Sequence, residues 1–421
     1  MDSNPGFSLA LTTGIATLVG GVAAWKLRKE YKKLEESKRK DLSEVVHLIQ
    51  IKDIGNLLDS DNLEVQQYAE KLLKQRAMSP RYFPEILKCC LSEDKETVLK
   101  AVTAVFLLCT STNESKVFFF YKSALHVLLK VIKNLSEGYN YKTLVARCKG
   151  DVMIEKTFFK CVGSIFHLTL NDSQIAKALY QEKNCVRDIF MHILSDHGFH
   201  ILADVKRWST YIVHQLIQIE DKDVKATLRK WGIITKATLC LIRYLGDLLL
   251  TQLCLQILVQ YLSDAVDEIV QVCQEMASLG ILRHLVGLLR CEEEENIVQL
   301  SAIIIHHFCC FDIDVRNLSK IPGIIKILFT VLNSNEANIQ KTVLRIFNYL
   351  CVSSSSFQKK LLCDKPLLKR LSICLASGNK EVVQGSLMLV HDLAMPGLLT
   401  NLSLFVFLIV LRQKAFMNNV G

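Results

Sequence analysis

The sequence predicts an all-α fold, an α-solenoid of stacked helices preceded by one N-terminal transmembrane helix. Three observations predict it. A helical pattern of apolar residues returns at a constant spacing, the 421 residues include only 6 prolines and 18 glycines, and an apolar segment near the N-terminus carries no charge. A chain of this length can form two or three globular domains or one repeat array. Because no Gly-, Ser- or Pro-rich linker interrupts it, one continuous array is favoured.

The uncharged segment at 7–25 has about the length that a membrane span needs. At a rise of about 1.5 Å per residue, its 19 residues just cross a hydrocarbon core of about 30 Å. The segment 26–40 that follows is rich in Lys and Arg, whereas the short tail 1–6 has neither. Because basic residues stay on the cytosolic side, we expect 7–25 to be a transmembrane anchor with the rest of the chain in the cytosol. A cleaved signal peptide would carry its positive charge in front of the apolar region.

The predicted anchor has one face of small residues. Ala16, Gly20 and Ala24 recur every four positions, which lets two spans approach closely. A homo-oligomer formed through the anchor is one expectation, and a weakly apolar anchor without association is the alternative. The residues that define the anchor are Phe7, Gly14, Ala16, Gly20, Gly21, Ala24 and Trp25.

A repeated pattern follows the basic segment. The segments 280–289, 323–332 and 366–375 align with one another, and each begins 43 residues after the previous one. Their apolar residues fall at i, i+1, i+4 and i+8, which is one face of a helix. A polar break and a second apolar helix follow each copy. One helix pair cannot bury such a face alone, so the pattern predicts that neighbouring copies stack.

This unit resembles the armadillo repeat, and the resemblance implies an armadillo/HEAT-like α-solenoid for the chain. The likeness is strongest over 280–394 and looser upstream, where about eight units fit into 41–396. The apolar C-terminal segment 397–421 has two interpretations. It is either a helix that caps the last repeat or a second membrane contact.

The resemblance also implies a location and a class of function. An N-terminal anchor before armadillo repeats is similar to the anchored armadillo proteins of the mitochondrial outer membrane, which act in organelle dynamics or distribution. We therefore expect a non-enzymatic adaptor on that membrane whose body binds an unknown protein partner in the cytosol. The alternatives are an endoplasmic reticulum anchor, a soluble scaffold, or a regulatory armadillo domain related to a signalling enzyme without its catalytic part.

In armadillo proteins the binding groove is lined by the last helix of each repeat, often with an Asn near its end. Aligning the repeats on their terminal leucine places a residue other than Asn at every one of these positions. The groove is therefore expected to recognise something other than an extended peptide. The candidate groove residues are His167, His214, Gln215, Tyr261, His306, His307, Asn348, Tyr349, His391 and Asp392.

The sequence contains no motif of a known catalytic, nucleotide-binding or metal site. His306 and Cys310 stand one helical turn apart, but two ligands do not make a zinc site. The 15 cysteines are scattered among apolar residues and predict reduced thiols in a core. The net charge of +9 is partly carried by 26–40, which suits anionic lipid headgroups, and gives little reason to expect nucleic acid. We expect no cofactor and no catalytic residue.

Overall fold

The computed structural model describes residues 83–196 and 203–394, apart from 112–117, 171, 265–267 and 292, together with six isolated positions between 63 and 71. The predicted tail, anchor and basic segment at 1–40 lie outside the described residues, as does the C-terminal segment 397–421. Within the described residues, no helix is both long enough and apolar enough to span a membrane.

The described residues are helical with short turns between helices, and no strand occurs among them. This confirms the predicted all-α class. The chain divides into two compact units, unit 1 with 1–192 and 198–219, and unit 2 with 193–197 and 220–421.

In unit 1 the helices follow one another with short connections. They are α1 (Phe83–Cys89), α2 (Lys95–Ser111), α3 (Phe118–Leu135), α4 (Tyr141–Gly150), α5 (Val152–Thr169), α6 (Ser173–Gln181), α7 (Lys183–Cys185, a π-helical turn at Val186–Phe190, then Met191–Ser195) and α8 (Ala203–Ile217). Helix α2 packs on α5, and α5 packs on α8.

Unit 2 repeats a group of three helices four times. The groups are α9 (Lys222–Lys230), α10 (Ile233–Arg243) and α11 (Leu248–Asp264); α12 (Ile269–Ser278), α13 (Leu282–Leu288) and α14 (Glu295–Cys310); α15 (Val315–Lys320), α16 (Ile324–Leu332) and α17 (Ala337–Ser353); and α18 (Ser355–Leu362), α19 (Lys365–Leu375) and α20 (Lys380–Ala394). The second and third helices of the last three groups lie where the 43-residue pattern predicts helices. The short first helix of each group is a finding that the pattern of helix pairs did not include.

The third helices of unit 2 form a stack in which α11 packs on α14, α14 on α17, and α17 on α20. We call these four helices the third helices. The same name is used for α2, α5 and α8 of unit 1, because they stack in the same way. The inward positions of the repeat are buried as the pattern predicts. Leu328 on α16 and Leu371 on α19 are 0% and 2% exposed, whereas Lys326 on the other side of α16 is exposed.

The starts of the helices are set by local chemistry. Glycines with left-handed backbone precede the second helix in three successive groups, namely Gly232, Gly280 and Gly323, with φ between 75° and 78°. The fourth group begins its second helix differently: Asp364 has a negative φ, and its side chain caps the helix by accepting a hydrogen bond from the amide of Leu367 at 3.0 Å.

All 15 cysteines are free, and ten of them are buried. Burial raises the pKa of Cys351 and of Cys273 to about 12, so both stay protonated thiols at neutral pH. The predicted placement of cysteines in a helical core is confirmed for these ten, while Cys89, Cys109, Cys291 and Cys310 are half-buried and Cys363 is exposed.

Candidate functional site

All ten candidate groove residues lie on third helices. His167 is on α5 and His214 and Gln215 on α8 of unit 1, while the other seven lie on α11, α14, α17 and α20 of unit 2. The ten side chains differ in solvent exposure, however, and two of them are buried.

Tyr261 and Asn348 lie inside the fold. Tyr261 is 4% exposed, and its hydroxyl donates a hydrogen bond to the carbonyl of Lys225 on α9 at 3.0 Å. Asn348 is 6% exposed and donates to the carbonyl of Gly385 at 3.4 Å, where α20 passes close to α17. These contacts stabilise packing between helices, so the expectation that both side chains line a groove is wrong at these two positions.

His306, Cys310 and Tyr349 come together across α14 and α17. The Cys310 thiol lies 3.4 Å from Nε2 of His306, and it donates a hydrogen bond to the Tyr349 hydroxyl at 3.4 Å. The rings of His306 and Tyr349 meet edge to face at 5.9 Å between centroids. His307 adjoins this group, with its ring 5.7 Å from that of His306.

The electrostatics of this group favour neutral side chains. Burial, and then the neighbouring His307 and the positive charges of Arg345 and Lys341, lower the pKa of His306 to about 4. The hydrogen bond between Tyr349 and Cys310, together with burial, raises the pKa of Tyr349 to about 12. At neutral pH, His306 is therefore an uncharged imidazole, which gives it little power to draw a proton from the Cys310 thiol.

His391 and Asp392 lie near the end of α20. Nδ1 of the exposed His391 is 3.3 Å from a carboxylate oxygen of Asp392. The backbone carbonyl of Asp392 accepts a hydrogen bond from the side-chain amide of Gln358 at 2.6 Å, which ties α18 to α20. The Asp392 carboxylate is half-buried and still reaches the surface.

An aromatic cluster that the sequence did not indicate lies on the third helices of unit 1. Trp208 of α8 is at its centre, with ring centroids 4.8 Å from Phe159, 6.0 Å from Phe166 and 6.1 Å from Phe106. Tyr211 meets Phe166 edge to face at 4.9 Å. These five side chains are all half-buried, so each ring keeps part of its area in solvent. We call them the aromatic face.

A glycine makes this arrangement possible. A Cβ atom at Gly163, in the middle of α5, would lie 2.6 Å from Phe106 and 2.8 Å from Trp208. The two rings therefore approach the backbone of α5 at a point where any other residue would push them away. A glycine inside an apolar helical pattern was the one signal in the sequence for this close approach.

Two of the predicted groove histidines border the aromatic face. His167 lies 4.9 Å from Phe166 and 5.8 Å from Phe106, and burial lowers its pKa. His214 lies 6.1 Å from Tyr211, and burial lowers its pKa as well. Gln215 follows on the same helix and is half-buried. The structure thus brings His167 and His214 into one aromatic surface.

A lysine also contacts this surface. The ammonium of Lys160 lies 4.3 Å from the centre of the Phe106 ring, within the range of a cation–π interaction.

In the part of the chain that the structure describes, no group of three or more His, Cys, Asp or Glu side chains is placed to hold a metal ion.

No family model and no curated protein matches this sequence. Solved structures with a similar fold do exist. A chain from a structure concerning a phosphorylation switch that controls the interaction between cadherin and beta-catenin has a TM-score of 0.57 and 12% identity. The match covers 87% of this chain and 64% of that one. An engineered protein has a TM-score of 0.49 and 15% identity, with 82% and 88% of the two chains covered. At 12% identity the likeness shows the fold alone, which is armadillo-like.

Proposed function

We propose that this protein is a non-enzymatic adaptor that binds a protein partner on its third helices and is tethered to a membrane by 7–25. The armadillo-like fold supports a protein-binding scaffold. The observation that carries the proposal is the aromatic face of unit 1, because its five aromatic side chains lie together and none of them is fully buried.

The composition of the aromatic face suits a partner. Trp and Tyr are enriched among the residues that contribute most to protein interfaces, because they bury a large apolar area and can also donate a hydrogen bond. Trp208 is held by three phenylalanine rings and by the bare backbone of Gly163, so it loses little side-chain freedom on binding. A packed tryptophan that is only partly buried is typical of a binding anchor.

The third helices of unit 2 present a second apolar surface. Tyr349 and Val352 on α17 are 36% and 75% exposed, and Leu387 and Met388 on α20 are 44% and 52% exposed. Helices α17 and α20 pack directly against each other. Apolar side chains exposed on neighbouring helices are typical of surfaces that other molecules cover, so these two helices are the second candidate for partner binding.

A partner experiment separates the two surfaces. Trp208→Ala and Tyr211→Ala change the aromatic face, and a triple alanine variant at His307, Tyr349 and Asp392 changes the surface of unit 2. Each is compared with the unchanged chain by proximity labelling in cells. We expect the aromatic-face variants to lose most labelled partners while circular dichroism remains helical.

The matched controls are Lys142→Ala on α4 and Lys326→Ala on α16, both exposed positions away from these surfaces. They should leave the labelled partners unchanged. If all surface variants retain their partners, binding does not use the third helices and the proposal is wrong. If only the triple variant loses them, the surface of unit 2 is the binding site.

We further propose that the anchor places the protein on the mitochondrial outer membrane with its body in the cytosol, where it would act in organelle dynamics or distribution. The support is the uncharged segment 7–25 followed by the basic segment 26–40. A fluorescent reporter fused to residues 1–40 should label mitochondria, and replacing the basic residues with Gln should move it to the endoplasmic reticulum. A reticular reporter with the native residues would instead favour an endoplasmic reticulum anchor.

A further inference from the structure

One side of α17 is covered by α20 of the next repeat. Lys341, Leu344 and Asn348 form a stripe along this side, because they follow one another at i, i+3 and i+7. The Lys341 ammonium is paired with the carboxylate of Glu381 on α20 at 2.6 Å, and Asn348 donates a hydrogen bond to the carbonyl of Gly385 at 3.4 Å. Leu344 is 0% exposed, and its Cβ would lie 3.3 Å from a Cβ atom at Gly385. Helix α17 therefore turns this stripe toward the next repeat.

The same positions one repeat earlier are buried too. Moving back by the 43-residue spacing from the stripe of α17 gives Val298, Ser301 and Ile305 on α14. They are 6%, 0% and 0% exposed, and α14 packs directly on α17. In both repeats, then, the next third helix covers the stripe.

The equivalent stripe of α20 is open. Moving forward by 43 residues gives Gln384, Leu387 and His391, and all three are exposed. Leu387 is 44% exposed although its equivalent Leu344 is fully buried, and the neighbouring Met388 is 52% exposed. Among the residues that the structure describes, no helix follows α20 to cover this stripe. Helix α20 thus leaves in solvent the face that the two previous third helices bury.

The chain continues beyond α20 with a segment suited to that face. Helix α20 ends at Ala394, and Pro396 and Gly397 come soon afterwards, a pair that is typical of a turn. Residues 398–411 then include eleven apolar residues among fourteen and carry no charge. Fourteen residues of helix are about 21 Å long, which is close to the length of the 15-residue α20 and shorter than the hydrocarbon core of about 30 Å.

We propose that residues 398–411 fold back onto the last repeat and cover the stripe of α20, burying Leu387 and Met388. The segment would take the part that α17 takes for α14 and that α20 takes for α17. It would close the core of the repeat array at this end, which a terminal repeat needs because no further repeat stacks on it. Leu387 and Met388 would then be shielded from a protein partner, which would instead meet the aromatic face or α17.

The first test measures the oxidation of Met388 in the full chain by dilute hydrogen peroxide, in mild detergent, with peptide mass spectrometry. The double variant Leu404→Asp, Leu408→Asp places two charges in the segment. Because methionine oxidation follows exposure, Met388 should be oxidised at least about tenfold more slowly in the unchanged chain than in this variant. Met153, which is half-buried on α5, is the internal control and should react at one rate in both chains. Equal rates at Met388 in the two chains would overturn the proposal.

The second test changes the stripe and leaves the segment as it is. Chymotrypsin cleaves after aromatic residues, and Phe405 and Phe407 lie within the segment. Leu387→Asp should speed cleavage there at least about tenfold, because a carboxylate at the contact opposes burial. Leu249→Asp, the same change at a leucine of α11 that is 54% exposed, should leave the cleavage rate as it was. Unaltered cleavage in Leu387→Asp, or the same increase in both variants, would refute the contact.

The alternative that 397–421 contacts the membrane is separated by repeating the oxidation in phosphatidylcholine vesicles. Slow oxidation of Met388 in both detergent and vesicles supports a contact made by the chain itself. If Met388 is protected in vesicles and not in detergent, lipid covers this end of the repeat array, and the proposal is wrong.

Discussion

Replacing Gly163 with Ala tests the geometry that creates the aromatic face. The added methyl group would lie 2.6 Å from Cε2 of Phe106 and 2.8 Å from Cζ3 of Trp208. Carbon atoms in contact prefer about 3.5–4.0 Å, so the methyl overlaps both rings by about 1 Å. The Trp208 ring cannot simply rotate away, because it also packs on Phe159 at 4.8 Å.

Two effects of opposite sign contribute to the free energy of unfolding. Alanine stabilises a helix interior by up to about 1 kcal/mol relative to glycine. Forcing additional carbon into a packed region costs about 1–3 kcal/mol. The steric cost should exceed the gain in helix propensity, so Gly163→Ala is expected to destabilise unit 1 by up to about 2 kcal/mol.

Gly287 provides a matched control with the same chemical change. It lies within α13, and a Cβ atom there would meet nothing within 4 Å. Gly287→Ala should therefore stabilise the chain by up to about 1 kcal/mol. Because helix propensity contributes to both variants, the difference between them reports mainly the steric cost at Gly163.

The assay is urea unfolding of both variants, followed by circular dichroism at a helical wavelength and by tryptophan fluorescence. We expect the unfolding midpoint to fall for Gly163→Ala and to rise for Gly287→Ala. If both substitutions stabilise the chain equally, Phe106 and Trp208 do not lie over the α5 backbone, and the account of the aromatic face is refuted.

Two further predictions concern the core and its response to acid. Leu328→Ala should lower the unfolding free energy by about 2–5 kcal/mol, because Leu328 is fully buried. Lys326→Ala on the same helix should change it by less than about 0.5 kcal/mol. Equal shifts in the thermal midpoint of the two variants would contradict the repeat register. Because the fold lowers the pKa of His306 from 6.5 to about 4, the unfolded chain takes up a proton before the folded chain does, and stability should fall as the pH drops from 6.5 to about 4. His306→Gln should make that loss smaller, and an identical pH profile in both proteins would show that His306 is not buried as described.

The helices that recur every 43 residues could be predicted from the sequence because their apolar residues repeat with a helical period. Leu328 and Leu371 occupy equivalent inward positions, and both are buried. Helix α15, the first helix of the third group, was missed for a physical reason. In α15 only Val315 and Leu318 are buried, and two apolar residues in six positions do not define a period.

The candidate site was harder to predict because it depends on where different helices meet. Aligning the repeats on their terminal leucine assumes that all of the third helices turn the same face toward the groove. Tyr261 departs from this assumption, since its ring turns inward and its hydroxyl reaches the carbonyl of Lys225. In the aromatic face, Phe106 and Trp208 approach the backbone of Gly163, and these three residues lie on separate helices. No spacing along the chain indicates their contact.

The turn between the first and second helix of each repeat in unit 2 affects how much the amino-acid sequence of this fold can change during evolution. Three groups make that turn with a left-handed glycine, and the fourth begins its second helix with the side chain of Asp364 and a proline in the first turn. The second helix can thus begin after two different backbone conformations, since Asp364 has a φ of −88° where the glycines have φ between 75° and 78°. A fold whose turns can be encoded in more than one way can lose nearly all recognisable sequence likeness to its structural neighbours while its helices keep their places.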